Sequence, residues 1–321
     1  MSASSVTVRE GERECRVADK RVVAEDVVAL TLVDAAGDAL PSWTPGAHID
    51  VMLGESLTRQ YSLCGDRADA DAWRIGILRE LGGRGGSAHV YDVLQPGATV
   101  RVRGPRNHFP FVAADGYLFI AGGIGITPLL PMVEAAAASD ADWKLLYGGR
   151  RRASMAFLDE LEAHGDRVAV WPQDERGLLD LPAELDPPRA GTLVYCCGPE
   201  PLLAAVEERC GAWPERTLHV ERFSPRPISV TTNKPIEVVL ERSELTLAVP
   251  ADRSVLDVVE EAGVFVLSSC GEGACGTCET VVLAGAPEHR DSVLDQAARE
   301  SNSCMMLCVS RARSPRLVLD L

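Results

Sequence analysis

Cys270-Gly-Glu-Gly-Ala-Cys275-Gly-Thr-Cys278, with Cys308 thirty positions beyond, is the stretch on which the reading of this 321-residue chain turns. Four thiolates spaced C-x4-C-x2-C…C can hold a [2Fe–2S] cluster, two sulfurs to each iron. Gly271, Gly273 and Gly276 suit that task. A loop folded round a cluster needs backbone angles that side chains disfavour, and must bring N–H groups close to anionic sulfur. A zinc site would more usually pair two C-x2-C elements or recruit histidines, and His289 is the one histidine of the C-terminal part. A disulfide knot belongs to small secreted chains.

Outward from this loop, Ile236–Leu240 and Leu245–Val249 read as strands, followed by a helix over Val255–Ala262 with Ser254 as N-cap and Gly263 as its stop. Val255, Val258, Val259 and Ala262 make one buried helical stripe. Glu279–Leu283 and Leu317–Leu321 read as further strands. The segment Pro235–Leu321 resembles plant-type ferredoxin over its whole length, which implies an α+β, β-grasp domain ligating its cluster through Cys270, Cys275, Cys278 and Cys308. Cys304 is the competitor for the fourth position. The 29 residues between Cys278 and Cys308 match the ferredoxin separation, and Cys308-Val309 reads as the start of a buried strand; Cys304 reads as a small buried hydrophobe.

Upstream, apolar runs Tyr117–Ala121, Trp143–Tyr147, Val168–Val170 and Thr192–Cys196 alternate with helices expected over Pro128–Ala138, Met155–His164 and Pro201–Arg209. That alternation predicts a parallel α/β sheet. Ala121-Gly122-Gly123-Ile124-Gly125-Ile126-Thr127-Pro128 joins a strand to a helix, with Thr127 expected to cap the helix and Pro128 to open it. Tyr195-Cys196-Cys197-Gly198-Pro199 ends a later strand, so both loops fall on the carboxyl edge where such sheets bind ligands. After Tyr147-Gly148 come Arg150, Arg151 and Arg152 with no adjacent acid, a pattern that leans toward a ribose 2′-phosphate. Ser224-Pro225-Arg226-Pro227 reads as a linker.

The first ~110 residues offer short strands separated by Gly/Pro/Asp turns, the pattern of a small antiparallel barrel. Gly82-Gly83-Arg84-Gly85-Gly86-Ser87 reads as a phosphate cradle at a helix start, with Arg79 as a second cation. The expected organisation is thus three domains, 1–111, 112–226 and 227–321.

From about residue 12 to the C-terminus, this order of barrel, nucleotide domain and ferredoxin resembles the phthalate dioxygenase reductase family, within the ferredoxin–NADP reductase superfamily. Arg59-Gln60-Tyr61-Ser62-Leu63 matches the superfamily's Arg-x-Tyr-Ser flavin signature, and Cys197-Gly198-Pro199 its second nicotinamide element. The resemblance implies Arg59 on the flavin phosphate, Tyr61 against the isoalloxazine, Ser62 near N5, Cys197 near the nicotinamide, and Phe223 of Glu221-Arg222-Phe223 near the flavin. Ser62 and Thr127 are the expected catalytic hydrogen-bonding groups. Leu63, Gly85, Gly86, Ser87, Gly122, Gly123, Gly125, Ile126, Pro128, Arg150, Gly198 and Pro199 complete the expected cofactor-binding set. The domain order implies FMN rather than FAD, and the family NADH, with NADPH tolerated. Electrons would leave one at a time through the cluster to a separate oxygenase, of Rieske type or alternatively a cytochrome P450, docked against an acidic face including Glu272 and Glu279. A flavin/iron–sulfur redox sensor is the competing class, and a complete nicotinamide site is superfluous in a sensor.

Composition agrees with these expectations. A formal net charge of −15 repels phosphate backbones, so nucleic acid is not an expected partner. No secretory signal or transmembrane run is legible, and the chain reads as a cytoplasmic monomer. Cys15, Cys64, Cys196 and Cys210 read as core.

Overall fold

The computed structural model describes residues 11–54, 57–80, 82, 85–226, 233–294 and 296–321. The packing divides into two compact units, the first ending at Glu221 and the second beginning at Arg222.

The first unit contains two sheets. Strands β1 (Glu12–Ala24), β2 (Val27–Asp34), β3 (Ala47–Met52), β4 (Thr58–Ser62), β5 (Ala72–Leu78) and β6 (Thr99–Asn107) form an antiparallel sheet in the order β4-β3-β6-β1-β2-β5. A bridge between Leu63 and Ile75 joins its two outer strands and closes the barrel. Alternation sends Ile49 and Val51 into the barrel core, while Asp50 between them points the other way. Asp50 is fully buried and accepts hydrogen bonds from Arg103 (2.8 Å), Arg106 (2.7 Å) and Gln60 (2.9 Å). Burial alone would push its carboxyl up, but Arg106, Gln60 and Arg103 hold it below the usual carboxylate range. One buried anion therefore pins β3, β4 and β6 together. Helix α1 (Gly86–Asp92) follows β5, and Lys20 of β1 donates to Tyr91 O (2.6 Å) in its last turn and to Leu94 O (2.7 Å) just beyond it.

Strands β7 (Gly116–Gly122), β8 (Asp142–Gly149), β9 (Val168–Pro172), β10 (Thr192–Cys197) and β11 (Leu218–Glu221) form a wholly parallel sheet ordered β11-β10-β7-β8-β9. Helix α2 (Ile126–Ala137), short turns α3 (Leu158–Leu161), α4 (Gln173–Arg176) and α5 (Leu181–Leu185), and helix α6 (Glu200–Cys210) cover it. The order reverses between β7 and β10, which makes their carboxyl ends the crevice where doubly wound sheets bind ligands. One core runs between barrel and sheet, taking in Val27, Ala29 and Cys64 with Phe119, Ile126 and Met132. Arg74 of β5 reinforces it with a two-pronged pair to Glu160 (2.6 and 2.8 Å).

The sequence predicts one helix over Met155–His164; the structure breaks it. Met155–Phe157 are drawn onto the sheet instead. Met155 packs where a side chain on Gly149 would sit, and Tyr147 Oη donates to Ala156 O (3.2 Å). Phe157 takes a left-handed backbone (φ 62°) beneath the Arg74 guanidinium, so helix begins only at Leu158.

In the second unit, β12 (Ile236–Leu240), β13 (Leu245–Val249), β14 (Glu279–Ala284), β16 (Cys304–Met306) and β18 (Arg316–Leu319) make a mixed sheet ordered β13-β12-β18-β14-β16. A short pair, β15 (Pro287–Glu288) and β17 (Arg311–Ala312), lies outside it. Helix α7 (Val255–Glu261) packs Val255, Leu256 and Val259 into the core. It opens with a reciprocal cap: Asp257 N–H donates to Ser254 Oγ (3.0 Å) and Ser254 N–H to Asp257 Oδ2 (3.3 Å). Helix α8 (Gln296–Ser301) precedes β16. Cys308 stands in the turn after β16 rather than in a strand, because the pairing with β14 covers only Cys304–Met306.

Candidate functional site

Two glycine loops meet at the carboxyl edge of the parallel sheet. A side chain on Gly125 would lie 2.3 Å from Cys197 O, and one on Gly198 3.0 Å from Gly122 Cα. A side chain on Gly122 would strike Pro199 at 2.6 Å. The two backbones therefore touch, with Leu202 packed against both Gly122 and Gly198, and neither position has room for a side chain. Thr127 does not cap the helix. Helix α2 already begins at Ile126 after a 3-10 turn over Gly123–Gly125, and Thr127 Oγ1 donates to Ile124 O (3.0 Å). Pro128 is consequently the third helical residue, where its missing N–H leaves no intrahelical bond unmade. Thr127 is buried, with its methyl against Gly76 of the barrel. Ile126 is wholly core.

The same edge holds a group the sequence reading passed over. Glu221 ends β11 beside Cys197 and accepts a hydrogen bond from Ser62 of the barrel. Its Oε2 is enclosed without a partner. Burial pushes its carboxyl up to about 8, with the Ser62 bond pulling the other way. Burial, and then Glu221, raise the Cys197 thiol well above its ordinary value, so Cys197 stays protonated. Ser62, Cys197 and Glu221 thus converge from barrel and sheet.

On the barrel side, Arg59 lies across Gly86 so closely that a side chain there would sit 2.6 Å from Arg59 Nε. Gly85 has a left-handed backbone (φ 81°) ahead of α1, and Ser87 Oγ accepts from Glu80 N–H (3.1 Å). This sets a guanidinium at the N-terminal end of α1, a setting chemically suited to an anion. Gly83 and Arg84 lie outside the described residues. Arg79 is directed elsewhere: it pairs with Asp92 (3.0 Å) and covers the Tyr91 ring at the other end of α1. Tyr61 Oη is enclosed without a hydrogen-bond partner, and burial, the largest influence, raises its hydroxyl's pKa. A buried, unpartnered hydroxyl beside Arg59 fits a site meant for a polar aromatic cofactor. Leu63 points into the barrel core, which leaves only its backbone for a ligand.

Beyond β8, Arg151 pairs with Glu25 (2.7 Å) and Arg152 approaches Glu175 (4.0 Å). Arg150 is exposed and stands outside both pairs.

In the second unit, the structure brings the four sulfurs of Cys270, Cys275, Cys278 and Cys308 together. Cys270 is in hydrogen-bond reach of Cys275 and Cys308, and Cys278 of Cys308. Among the described residues no three metal-binding side chains surround a single point; the contacts run as two sulfur pairs joined by Cys270 and Cys308, the disposition a two-iron cluster asks for. Hydrogen bonds from Cys275 and Cys308 hold the Cys270 sulfur toward thiolate, and one from Cys308 does so for Cys278; Cys275 and Cys308 are correspondingly raised. Donors already face these sulfurs: Glu272 N–H to Cys270 (3.3 Å), Thr277 N–H (3.5 Å) and Thr277 Oγ1 (3.1 Å) to Cys275. Gly271, Gly273 and Gly276 all have φ near +70°. The donor set and the loop therefore fit a [2Fe–2S] group. Cys304 is not in this nest. It pairs across from Val281 in β16, and burial, followed by Glu279, pushes its thiol up to about 11. Phe223 is 46% exposed near the start of the second unit.

Comparison with known proteins agrees with this geometry. Residues 238–313 match the 2Fe-2S iron-sulfur cluster binding domain and residues 119–208 the oxidoreductase NAD-binding domain. The chain is 42% identical to phenoxybenzoate dioxygenase subunit beta of Ectopseudomonas oleovorans, over 93% of this chain and 94% of that protein. It is 36% identical to the solved phthalate dioxygenase reductase, described as a modular structure for electron transfer from pyridine nucleotides to [2Fe–2S], with a TM-score of 0.70 over 97% of this chain and 98% of that one. An intact type IV self-sufficient cytochrome P450 monooxygenase superposes with a TM-score of 0.93 at 44% identity, but the chain spans only 41% of that protein's length. No described helix is long and apolar enough to cross a membrane. A nicotinamide-binding sheet, a [2Fe–2S] domain and end-to-end likeness to these reductases together mean that the chain belongs to the phthalate dioxygenase reductase family.

Proposed function

We propose that this chain is the reductase of an oxygenase system, drawing electrons from NADH through FMN to its [2Fe–2S] cluster and on to a separate oxygenase. The observation that carries the reading is the convergence of Ser62 and Glu221 on Cys197, whose carbonyl lies against Gly125, in a chain that also gathers four sulfurs. Bound there, a flavin would supply a hydride acceptor and a [2Fe–2S] cluster a one-electron carrier. Arg59 and the Gly85–Ser87 turn would hold the flavin phosphate, with Tyr61 against the ring and Ser62 toward N5. Gly122–Gly125 and Gly198-Pro199 let a pyrophosphate approach the backbone, with Thr127 setting the floor under the nicotinamide. Arg79 serves the flavin site indirectly by holding α1 through Asp92. Phe223 is assigned to the flavin by family likeness alone. Domain limits at 111/112 and 226/227 follow from the same reading.

A Rieske-type oxygenase is the partner we favour, since relatives that match this chain end to end are free-standing components such as the phenoxybenzoate and phthalate dioxygenase subunits. A P450 is the second reading, favoured by the fused monooxygenase whose reductase region superposes so closely. Glu272 and Glu279 would contribute to an acidic docking face, in a monomeric reductase working in the cytoplasm, where its cysteines stay reduced. Supplying purified partners of each kind with NADH and this chain, and following product formation, separates the two; product with neither class would contradict the oxygenase assignment.

Glu221 is proposed to be the group that would take up, through Ser62 Oγ, a proton that a bound flavin would lose on oxidation. A carboxyl titrating near 8 is about one-tenth ionised at pH 7 and mostly ionised at pH 9. Cluster reduction should therefore rise about tenfold over that interval in stopped-flow traces, and Glu221→Gln should flatten the profile while still accepting hydride. An unchanged profile in the variant would remove Glu221 from the path.

Nucleotide choice rests on Arg150. NADH is expected to be preferred, with Arg150 the cation that lets NADPH be used at all. Arg150→Ala should lower kcat/KM for NADPH about tenfold, the worth of one charge-assisted bond, and leave NADH unaffected. Equal losses with both nucleotides would place Arg150 elsewhere.

For the cluster, Cys304→Ser should keep the [2Fe–2S] EPR signal, whereas Cys308→Ser should lose or badly perturb it and spare flavin reduction by NADH. The opposite pattern would mean the wrong cysteine has been assigned.

A further inference from the structure

The two cysteine-bearing segments are far apart in sequence, and a third segment fastens them to one another. Residues 289–294 run between the cluster loop and the turn that carries Cys308. Ser292 N–H donates to Gly273 O (2.8 Å), and Arg290 N–H donates to Ser310 Oγ (3.2 Å), two residues past Cys308. Gly273 itself is enclosed: a side chain there would sit 2.5 Å from Val309 Cγ2 and 3.1 Å from Asp291 Cα. Movement of 289–294 therefore transmits to both ligand segments.

What shapes that clasp is Arg299, from α8. Its guanidinium donates to Leu294 O (2.9 Å), His289 O (3.5 Å) and Asp291 O, so one planar fork gathers three carbonyls from the two ends and the middle of the segment. Asp291 completes the turn from inside. It is buried, and its Oδ1 accepts from Val293 N–H (3.0 Å) and Leu294 N–H (2.8 Å) and faces Arg299 at 3.4 Å. No residue of this assembly is a sulfur donor.

We propose that Arg299 is a positioning residue for the cluster, holding segment 289–294 as a clasp that fixes the Gly273 loop against the Cys308 turn. The inference rests on the cluster assignment above. Groups outside the ligand shell commonly alter metal affinity by about 10–100-fold when removed. Arg299→Gln, with its fork gone, should release iron to a chelator at least about tenfold faster than the wild-type holoprotein and show a broadened or shifted [2Fe–2S] EPR line. Its flavin reduction by NADH should stay unchanged. Arg299→Lys keeps the charge but cannot reach three carbonyls, so it should fail in the same way as Gln, and it decides the matter if the Gln variant does not fold. Wild-type release and EPR line in either variant would overturn the clasp, the Lys result by showing that charge alone suffices. Iron and sulfide are assayed first in the wild type: their absence would sink the cluster assignment itself, whereas a normal wild-type cluster with indifferent variants would sink only the role of Arg299.

Discussion

The arrangement depends on a bare patch of backbone at the point where the parallel sheet reverses its order. Any side chain at Gly125 would occupy the position of Cys197 O, and any at Gly122 that of Pro199. Because both loops stay bare, β7 and β10 can end side by side with their chain directions diverging into α2 and α6. The barrel then closes on the same edge. Gly76 accommodates the Thr127 methyl, Arg74 grips Glu160, and Ser62 reaches Glu221. Each of these contacts is made between segments far apart in the chain, and each presupposes the backbone contact beneath it.

Chemically, the edge is notable for what burial does to its acids. Glu221 and Cys197 both have their protonated forms favoured, so a neutral, water-poor environment surrounds the Ser62 hydroxyl. The second unit solves the opposite problem. It must tolerate anionic sulfur, and it does so with N–H and hydroxyl donors from Glu272 and Thr277 in a loop whose glycines adopt left-handed angles. Hydride chemistry and one-electron chemistry thus meet differently prepared surroundings within one chain.

Much of this was legible from short-range pattern. The cysteine spacing, the Ser254 cap and the glycine loop after β7 are local signals, and the strands Ile236–Leu240 and Leu245–Val249 fall where the sequence reads them. What escaped depends on tertiary neighbours. Glu221 looks like an ordinary strand-end acid until Ser62, 159 positions earlier in the chain, lies against it. Thr127 has the composition of a cap, yet the preceding 3-10 turn had already started the helix. Arg79 offers a cation near a glycine run, but Asp92 takes it up. Strand β11 is short and only partly buried, so neither length nor periodicity announces it. The clasp around Gly273 is invisible for the same reason, since Arg299 acts through backbone carbonyls that no sequence motif records.

As proposed, one chain receives hydride equivalents at the first unit and delivers single electrons at the second. Anaerobic titration with NADH, followed by visible absorbance and low-temperature EPR, tests it most directly. Uptake beyond the one hydride equivalent a flavin can hold is expected, with the excess appearing as the EPR signal of a reduced [2Fe–2S] cluster. Uptake that stops at one hydride equivalent, with the cluster still oxidised and EPR-silent, would contradict it.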